Sequence, residues 1–249
     1  MELARKSCHE PATLGADDLE PLRVLVGDGA LDYTLVVGSF HFINRIADLL
    51  DVDPELVPRS MRRFEWLRRL GVRMAGKLMS RMDLANRAYP LSYQQALDEL
   101  APVYERAAGR PPGELFAPAA TRPWFLEMMR LALEERLDRS TLDDATVATI
   151  ERTVESALPT CRDDATGLHA RPSDPVEAFA FVGTRYAQRT TADMIGRLRD
   201  AGYDDVGILD LAIAVADANQ WARVRRLIGL QADPYALARA GAEPDRASA

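Results

Sequence analysis

Two stretches of this 249-residue chain carry residue types at spacings that suit chemistry. The first is Ala30 to Val52, ALDYTLVVGSFHFINRIADLLDV. Projected as a helix at about 100° per residue, it sets Thr34, Gly38, His41, Asn44, Arg45 and Asp48 on one stripe. His41, Arg45 and Asp48 follow the i, i+4, i+7 spacing, so an imidazole, a guanidinium and a carboxylate can share a cavity. In that role His41 would exchange protons near neutral pH, Asp48 would set its tautomer and Arg45 would hold an anion. A half-exposed polar face, or a histidine satisfied at a helix contact, fits the same spacing.

The second stretch is Ile208 to Leu230, where Asp210, Asp217 and Trp221 fall on an otherwise apolar face beside Ile213 and Val224. A carboxylate held against an indole and aliphatic groups has its charged form disfavoured, the condition for a general acid. Asp217 is the candidate; the competing expectation is a pairing with an arginine such as Arg185 or Arg225. Asp210 lies early enough in the predicted helix to be explained by the helix dipole. His169 and Cys161 share one loop with Asp163 and Asp164, but their spacing fits no established zinc pattern. No phosphate loop, nucleotide fingerprint or nucleophile elbow is present, so neither a metal nor a cofactor is expected.

The two stretches are altered copies of one another. With a constant offset of 178 (209 − 31), Leu31 matches Leu209, Asp32 matches Asp210, Val37 matches Val215, Arg45 matches Arg223 and Leu49 matches Leu227. Each opens with an aspartate, runs apolar or small for three turns, then switches to arginine-bearing turns, as expected of a long helix whose first half is enclosed and whose second half surfaces.

Further elements must position these helices. Residues 1 to 16 read as a loosely held lead-in. A helix starts at Ala16-Asp17-Asp18 with Pro21 in its first turn, and Gly27-Asp28-Gly29 ends it. Met61, Phe64, Leu67, Leu70, Met74, Leu78, Met82 and Ala85 step by three and four, which predicts a long amphipathic helix with an arginine-rich outer face. Helices are then predicted over Ser92 to Ala108, capped by Ser92, over Pro123 to Leu137, and from Ser140 or Thr141, where Thr141-Leu-Asp-Asp resembles a capping box. After the irregular stretches 109 to 123 and 159 to 174 come Pro175 to Thr190, Thr191 to Ala201 and the second long helix. No segment alternates as a strand would, so the predicted fold is all-α and multi-helical. The expected organisation is a partial first repeat in 1–60, a helical insert in 61–158, a second repeat in 159–240 and a disordered tail in 241–249.

With 47% hydrophobic residues the chain can bury a large core. A net charge of −7 argues against a nucleic-acid surface, which needs an excess of Lys and Arg on one face. No run reaches the roughly 20 apolar residues of a membrane span. The opening residues include Glu2 and no apolar run, and Cys8 and Cys161 are far apart, so a reducing cytoplasm is the expected compartment.

The junction between the last two helices is more specific. Leu198-Arg199-Asp200-Ala201-Gly202-Tyr203-Asp204-Asp205-Val206-Gly207-Ile208-Leu209-Asp210 is followed by Asn219 and Arg223. A shorter version runs from Leu22-Arg23 through Gly27-Asp28 to Leu31-Asp32, followed by His41, Asn44 and Arg45. This pattern resembles the alkylhydroperoxidase D and carboxymuconolactone decarboxylase superfamily, over about 175–230 and in part over 16–52. In its peroxidase branch a glutamate, a Cys-x-x-Cys pair and a histidine form a relay on the preceding helix. Here that helix reads DPVEAFAFVGTRYAQRTTADM, with Glu177 but neither cysteine nor histidine. The resemblance therefore implies Glu177 as the one relay residue carried over, with Arg185 and Tyr186 beside it to bind a small polar ligand. Glu177 and Tyr186 equally suit interhelical hydrogen bonds.

Two functions follow as expectations. One is an enzyme of this superfamily, peroxidase-like or a cofactor-independent lyase, using Glu177, Asp217 and His41 on a small organic molecule held by Arg185, Tyr186, Trp221 and Arg45. The other is a helical scaffold or ligand-binding protein that lost the thiols. A homodimer through the arginine-rich helices is compatible with either.

Overall fold

In the computed structural model, residues 2–51, 91–109, 111–112, 116, 122–159 and 172–229 are described. They belong to one unit drawn from Met1–Asp51 and Leu91–Ala249. Every α-helical or strand element among them is a helix, in agreement with the all-α expectation. The chain order is α1 (Glu2–His9), α2 (Glu20–Val26), α3 (Gly29–Leu49), α4 (Tyr93–Ala108), α5 (Pro123–Arg139), α6 (Asp144–Ala157), α7 (Pro175–Arg185), α8 (Ala192–Asp200) and α9 (Asp205–Ile228), with 3-10 turns at Pro11–Thr13, Ala16–Asp18 and Ala187–Arg189. None is long and apolar enough to cross a membrane. The predicted helix over residues 60–88 and the loop holding Cys161 and His169 lie outside the described residues.

Local chemistry accounts for most boundaries. Ser92 Oγ accepts from Gln95 N and the Gln95 side chain answers to Ser92 N, a full capping box opening α4. Asp174, Thr191 and Asp204 cap α7, α8 and α9 with their side-chain oxygens alone, without the reciprocal bond. Gly27, at φ 57°, separates α2 from α3.

Three starts differ from expectation. Residues 2–9 form helix α1, and its Ser7 is fully buried. The cap of α6 is Asp143, which accepts from Thr146 N, not Thr141. Thr141 is drawn away by Asp210: its N–H and its hydroxyl both donate to Asp210 Oδ2 at 2.7 Å. Asp210 thus sits beyond the first turn of a helix that begins at Asp205, and its partner is a neighbouring chain segment instead of the helix dipole.

The long helices α3 and α9 pack together and cross two apolar clusters in opposite order. Leu49 near the end of α3 joins Val215, Leu211 and Ile208 from the first half of α9, with Phe179 of α7 and Ile150 of α6. Leu31 and Leu35 near the start of α3 join Val224 and Ile228 from the end of α9, with Leu100 of α4 and Phe125 of α5. The two helices therefore run antiparallel. Their approach is close at Gly38, where a Cβ would stand 2.8 Å from Val224 Cγ2. Gly183 of α7 does the same between Val215 (2.8 Å) and Leu49 (3.1 Å). Helices from residues 91–158 contribute to both clusters.

Candidate functional site

Two polar clusters lie on the α3–α9 pair. The first closes a ring of hydrogen bonds. Arg45 Nη1 donates to His41 Nδ1 at 3.1 Å, and His41 Nε2 meets Ser7 Oγ at 3.1 Å. Ser7 O accepts from Arg223 Nε at 3.0 Å, and Arg223 Nη1 donates to Asn219 Oδ1 at 3.0 Å. Asn219 Nδ2 donates to Thr184 Oγ1 at 3.1 Å, and Arg45 Nη2 returns to Thr184 O at 3.2 Å. Arg45 Nε adds a bond to Gly183 O at 3.1 Å, so the glycine that lets the helices meet also presents its carbonyl to the arginine.

A guanidinium only donates, so His41 Nδ1 must accept and its proton sits on Nε2. That N–H donates to Ser7 Oγ, whose own proton goes to Ala4 O at 2.9 Å. Burial, reinforced by Arg223 and Arg45, pushes the imidazole down to about 2. His41 therefore stays neutral, contrary to the expectation of proton exchange near pH 7. Its tautomer is set by Arg45 and Ser7, not by Asp48, which is exposed. Arg45 uses four of its five N–H donors on the protein, so its expected grip on an anion is largely occupied. Burial lowers it to about 10.

The second cluster is built around Asp217 on α9. Burial pushes its carboxyl up to about 6, with Glu151 adding to the rise. Arg136, the Trp221 indole, which hydrogen-bonds it, and Arg225 pull the other way. Trp221, one turn on, meets Phe125 edge to face at 5.8 Å between ring centroids. The surrounding charges are themselves paired: Arg136 Nη1 donates to Glu151 at 2.9 Å, and Arg225 and Arg226 both reach Glu155. Arg225 Nε is buried without a hydrogen-bond partner. This is a carboxyl that changes protonation near neutral pH beside an aromatic wall and two cations, able to give or take a proton.

The remaining predicted residues stand elsewhere. Glu177, in the first turn of α7, pairs with the exposed Arg152 at 3.6 Å. Arg185, at the other end of that helix, donates to Ala157 O at 2.9 Å and lies over Phe181. Tyr186 follows it, with Arg189 stacked over its ring. Glu177 and Tyr186 lie nine positions apart on a mostly helical chain, roughly 13 Å along its axis. The structure thus joins Asp217 to Trp221 and His41 to Arg45, and leaves Glu177 and the Arg185–Tyr186 pair at opposite ends of α7.

Ser7, Thr184, Arg136 and Glu151 were not singled out from sequence, because nothing local marks them. Arg223 and Asn219 carried a signal, the Asn/His-to-Arg i+4 spacing shared by both long helices. Among the described residues, no group of three or more His, Cys, Asp or Glu side chains is placed to hold a metal ion. No family model, curated protein or solved structure matches the chain.

Proposed function

We propose that the chain is a diverged alkylhydroperoxidase D/carboxymuconolactone decarboxylase-like protein of two unequal copies, acting on a small organic molecule by proton transfer at Asp217 and without a thiol pair. The observation that carries this reading is the Asp217 carboxyl itself, raised to about 6 and held against Trp221. Its burial lets it hold a proton near neutral pH, Trp221 offers a flat surface, and Arg136 with Arg225 would favour a substrate that becomes anionic. Support for two copies comes from the aligned arginines. Arg45 bonds to the side chain and carbonyl of His41, and Arg223 bonds to the side chain and carbonyl of Asn219, the residue His41 aligns with.

The test is a ligand-observed NMR screen of small lactones and carboxylic acids against wild type and Asp217→Asn at pH 5 and pH 8. Binders whose affinity changes between the two pH values, and is lost or made pH-independent in the variant, would support the reading. Binders indifferent to both would remove it. A scaffold without catalysis is the second reading, favoured by the surface pairing of Glu177 with Arg152. It predicts an Asp217→Asn protein that keeps every ligand and partner.

A further inference from the structure

Helix α3 has two apolar faces. One turns inward, where Gly38 meets Val224 of α9 and Arg45 bonds to Gly183 O of α7. The other lies opposite on the helix wheel, at Gly29, Tyr33, Val36, Phe40, Ile43 and Ala47. These positions step by four, three, four, three and four, the spacing of a seam that packs along a second helix. Its centre is open: Val36 is 54% exposed, Phe40 64% and Ile43 62%. Val26, also exposed, stands beside Gly29 and carries the apolar surface past the start of the helix. The solvent side of α4 differs, presenting Gln94, Asp98, Glu99, Glu105 and Arg106 to water. A helix apolar on both sides is ordinarily buried on both, and an apolar strip left open marks a place where another molecule packs.

Charge defines the occupant. The positions flanking the seam are Asp32, Val37, Ser39, Asn44 and Ile46, none of them a cation. Exposed acids stand at both ends, Asp28 at the start of α3 and Asp48 with Asp51 at its finish. The last turn of α3 holds no basic residue, so Asp48 and Asp51 add to the negative end of the helix dipole. The single arginine of α3, Arg45, sits on the inward face with its guanidinium bonded to the backbone of α7. A second copy of this face is a poor fit. An antiparallel pair sets the Asp28 end against the Asp48 end, a parallel pair sets each end against itself, and either way carboxylate faces carboxylate.

We propose that the outer face of α3 docks an amphipathic helix of a partner protein, one whose apolar stripe repeats every three and four residues and whose margins carry Lys or Arg. Val36, Phe40 and Ile43 supply the apolar contact, and Asp28, Asp48 and Asp51 select the basic margins. The surface lies across α3 from Arg45 and does not depend on the function proposed for Asp217.

The probe is a fluorescent synthetic peptide of three heptads, with Leu at the first and fourth position of each and Lys or Arg beside them, kept at nanomolar concentration so that it does not pair with itself. A twin carries Glu for each cation. Titrated with the full chain, the basic peptide should show a saturable rise in anisotropy at micromolar protein that weakens as salt is raised. The acidic twin should bind at least tenfold more weakly. Phe40→Glu should lose at least tenfold in affinity for the basic peptide, whereas Leu131→Glu, at an exposed apolar position on α5, should keep it. Phe40→Ser serves the same comparison should the glutamate disturb folding. Equal binding of the two peptides, or Phe40 variants that bind as wild type does, would overturn the proposal. So would a wild-type dimer in light scattering that Phe40→Glu splits, which makes a second copy the occupant, or binding to phosphatidylserine vesicles in place of the peptide, which makes it a lipid surface. A urea midpoint clearly lowered by Phe40→Ser would overturn it too, because the face would then be covered within the chain.

Discussion

Helices α3 and α9 share a sequence register, yet they agree over only half their length. Toward their ends the match is close: Leu49 and Leu227 are both buried, and Arg45 and Arg223 each fold back on the residue four before them. Toward their starts it is lost. Leu31 is 5% exposed under α4 and α5, whereas Leu209 is 42% exposed. Asp32 takes the Trp124 indole N–H at 3.1 Å, and Asp210 takes Thr141. The shared halves are those tied to α7 or α1 by the hydrogen bonds of Arg45 and Arg223; the differing halves are those covered by unrelated helices. A polar network that must satisfy every donor tolerates less change than an apolar face that can be covered in several ways.

The same pair differs in its titrating groups. Burial displaces both, but in α3 it drives an imidazole far from neutrality, and in α9 it brings a carboxyl toward it. One desolvation thus silences His41 and arms Asp217.

The sharpest way to break the comparison is to remove the arginines one at a time. Arg223→Met and Arg45→Met should each cost about 3 kcal/mol or more in urea unfolding, because each strands several buried acceptors. The two costs should lie within about 1 kcal/mol of each other; a near-silent Arg45→Met would deny the equivalence. Next in size, Gly38→Ala and Gly183→Ala force a methyl group to within 2.8 Å of Val224 and Val215. Losses of about 1–3 kcal/mol are expected, against the gain that alanine normally brings to a helix. Position 216, which aligns with Gly38, already holds an alanine.

Asp217→Asn sharpens the comparison through pH. Folding raises Asp217 from 3.8 to about 6, so between those values the folded protein keeps a proton the unfolded chain has released, and stability falls as pH rises. For His41, folding lowers 6.5 to about 2, so below 6.5 the unfolded chain gains a proton the fold refuses, and stability falls as pH drops. The two slopes oppose each other between about pH 4 and 6. The amide variant should be more stable than wild type by about 1–2 kcal/mol at pH 8 and should lose that advantage by about pH 4, measured by urea midpoints. The smallest effect belongs to the outer face of α3, where Phe40 is 64% exposed. Phe40→Ser should change stability by less than about 0.5 kcal/mol.

Much of this was readable from the chain itself. Among the described residues, the helix periods, the Ser92 cap and the Gly27 break are local signals, and each matches an element here; the period over 60–88 falls outside them. What escaped was tertiary. Helix α1 is short and polar, and it is held largely through Ser7 and the Lys6–Asp18 pair, neither of which gives a periodic signal. Thr141 and Asp143 can both cap a helix, and only the presence of Asp210 decides between them. The stripe on α3 was visible as a pattern, but not that Asn44 and Asp48 turn outward while His41 and Arg45 turn in. For Asp217, the indole four residues on and the apolar neighbours were visible; Arg136 and Glu151, from other helices, were not.

The most direct measurement is a pH titration by NMR that follows the side-chain carboxyl carbon of Asp217 and the ring of His41 in the same sample. An Asp217 midpoint near 6, with His41 neutral down to about pH 4, is the predicted result. A carboxyl titrating in the ordinary aspartate range, or an imidazole titrating between pH 6 and 7, would contradict it.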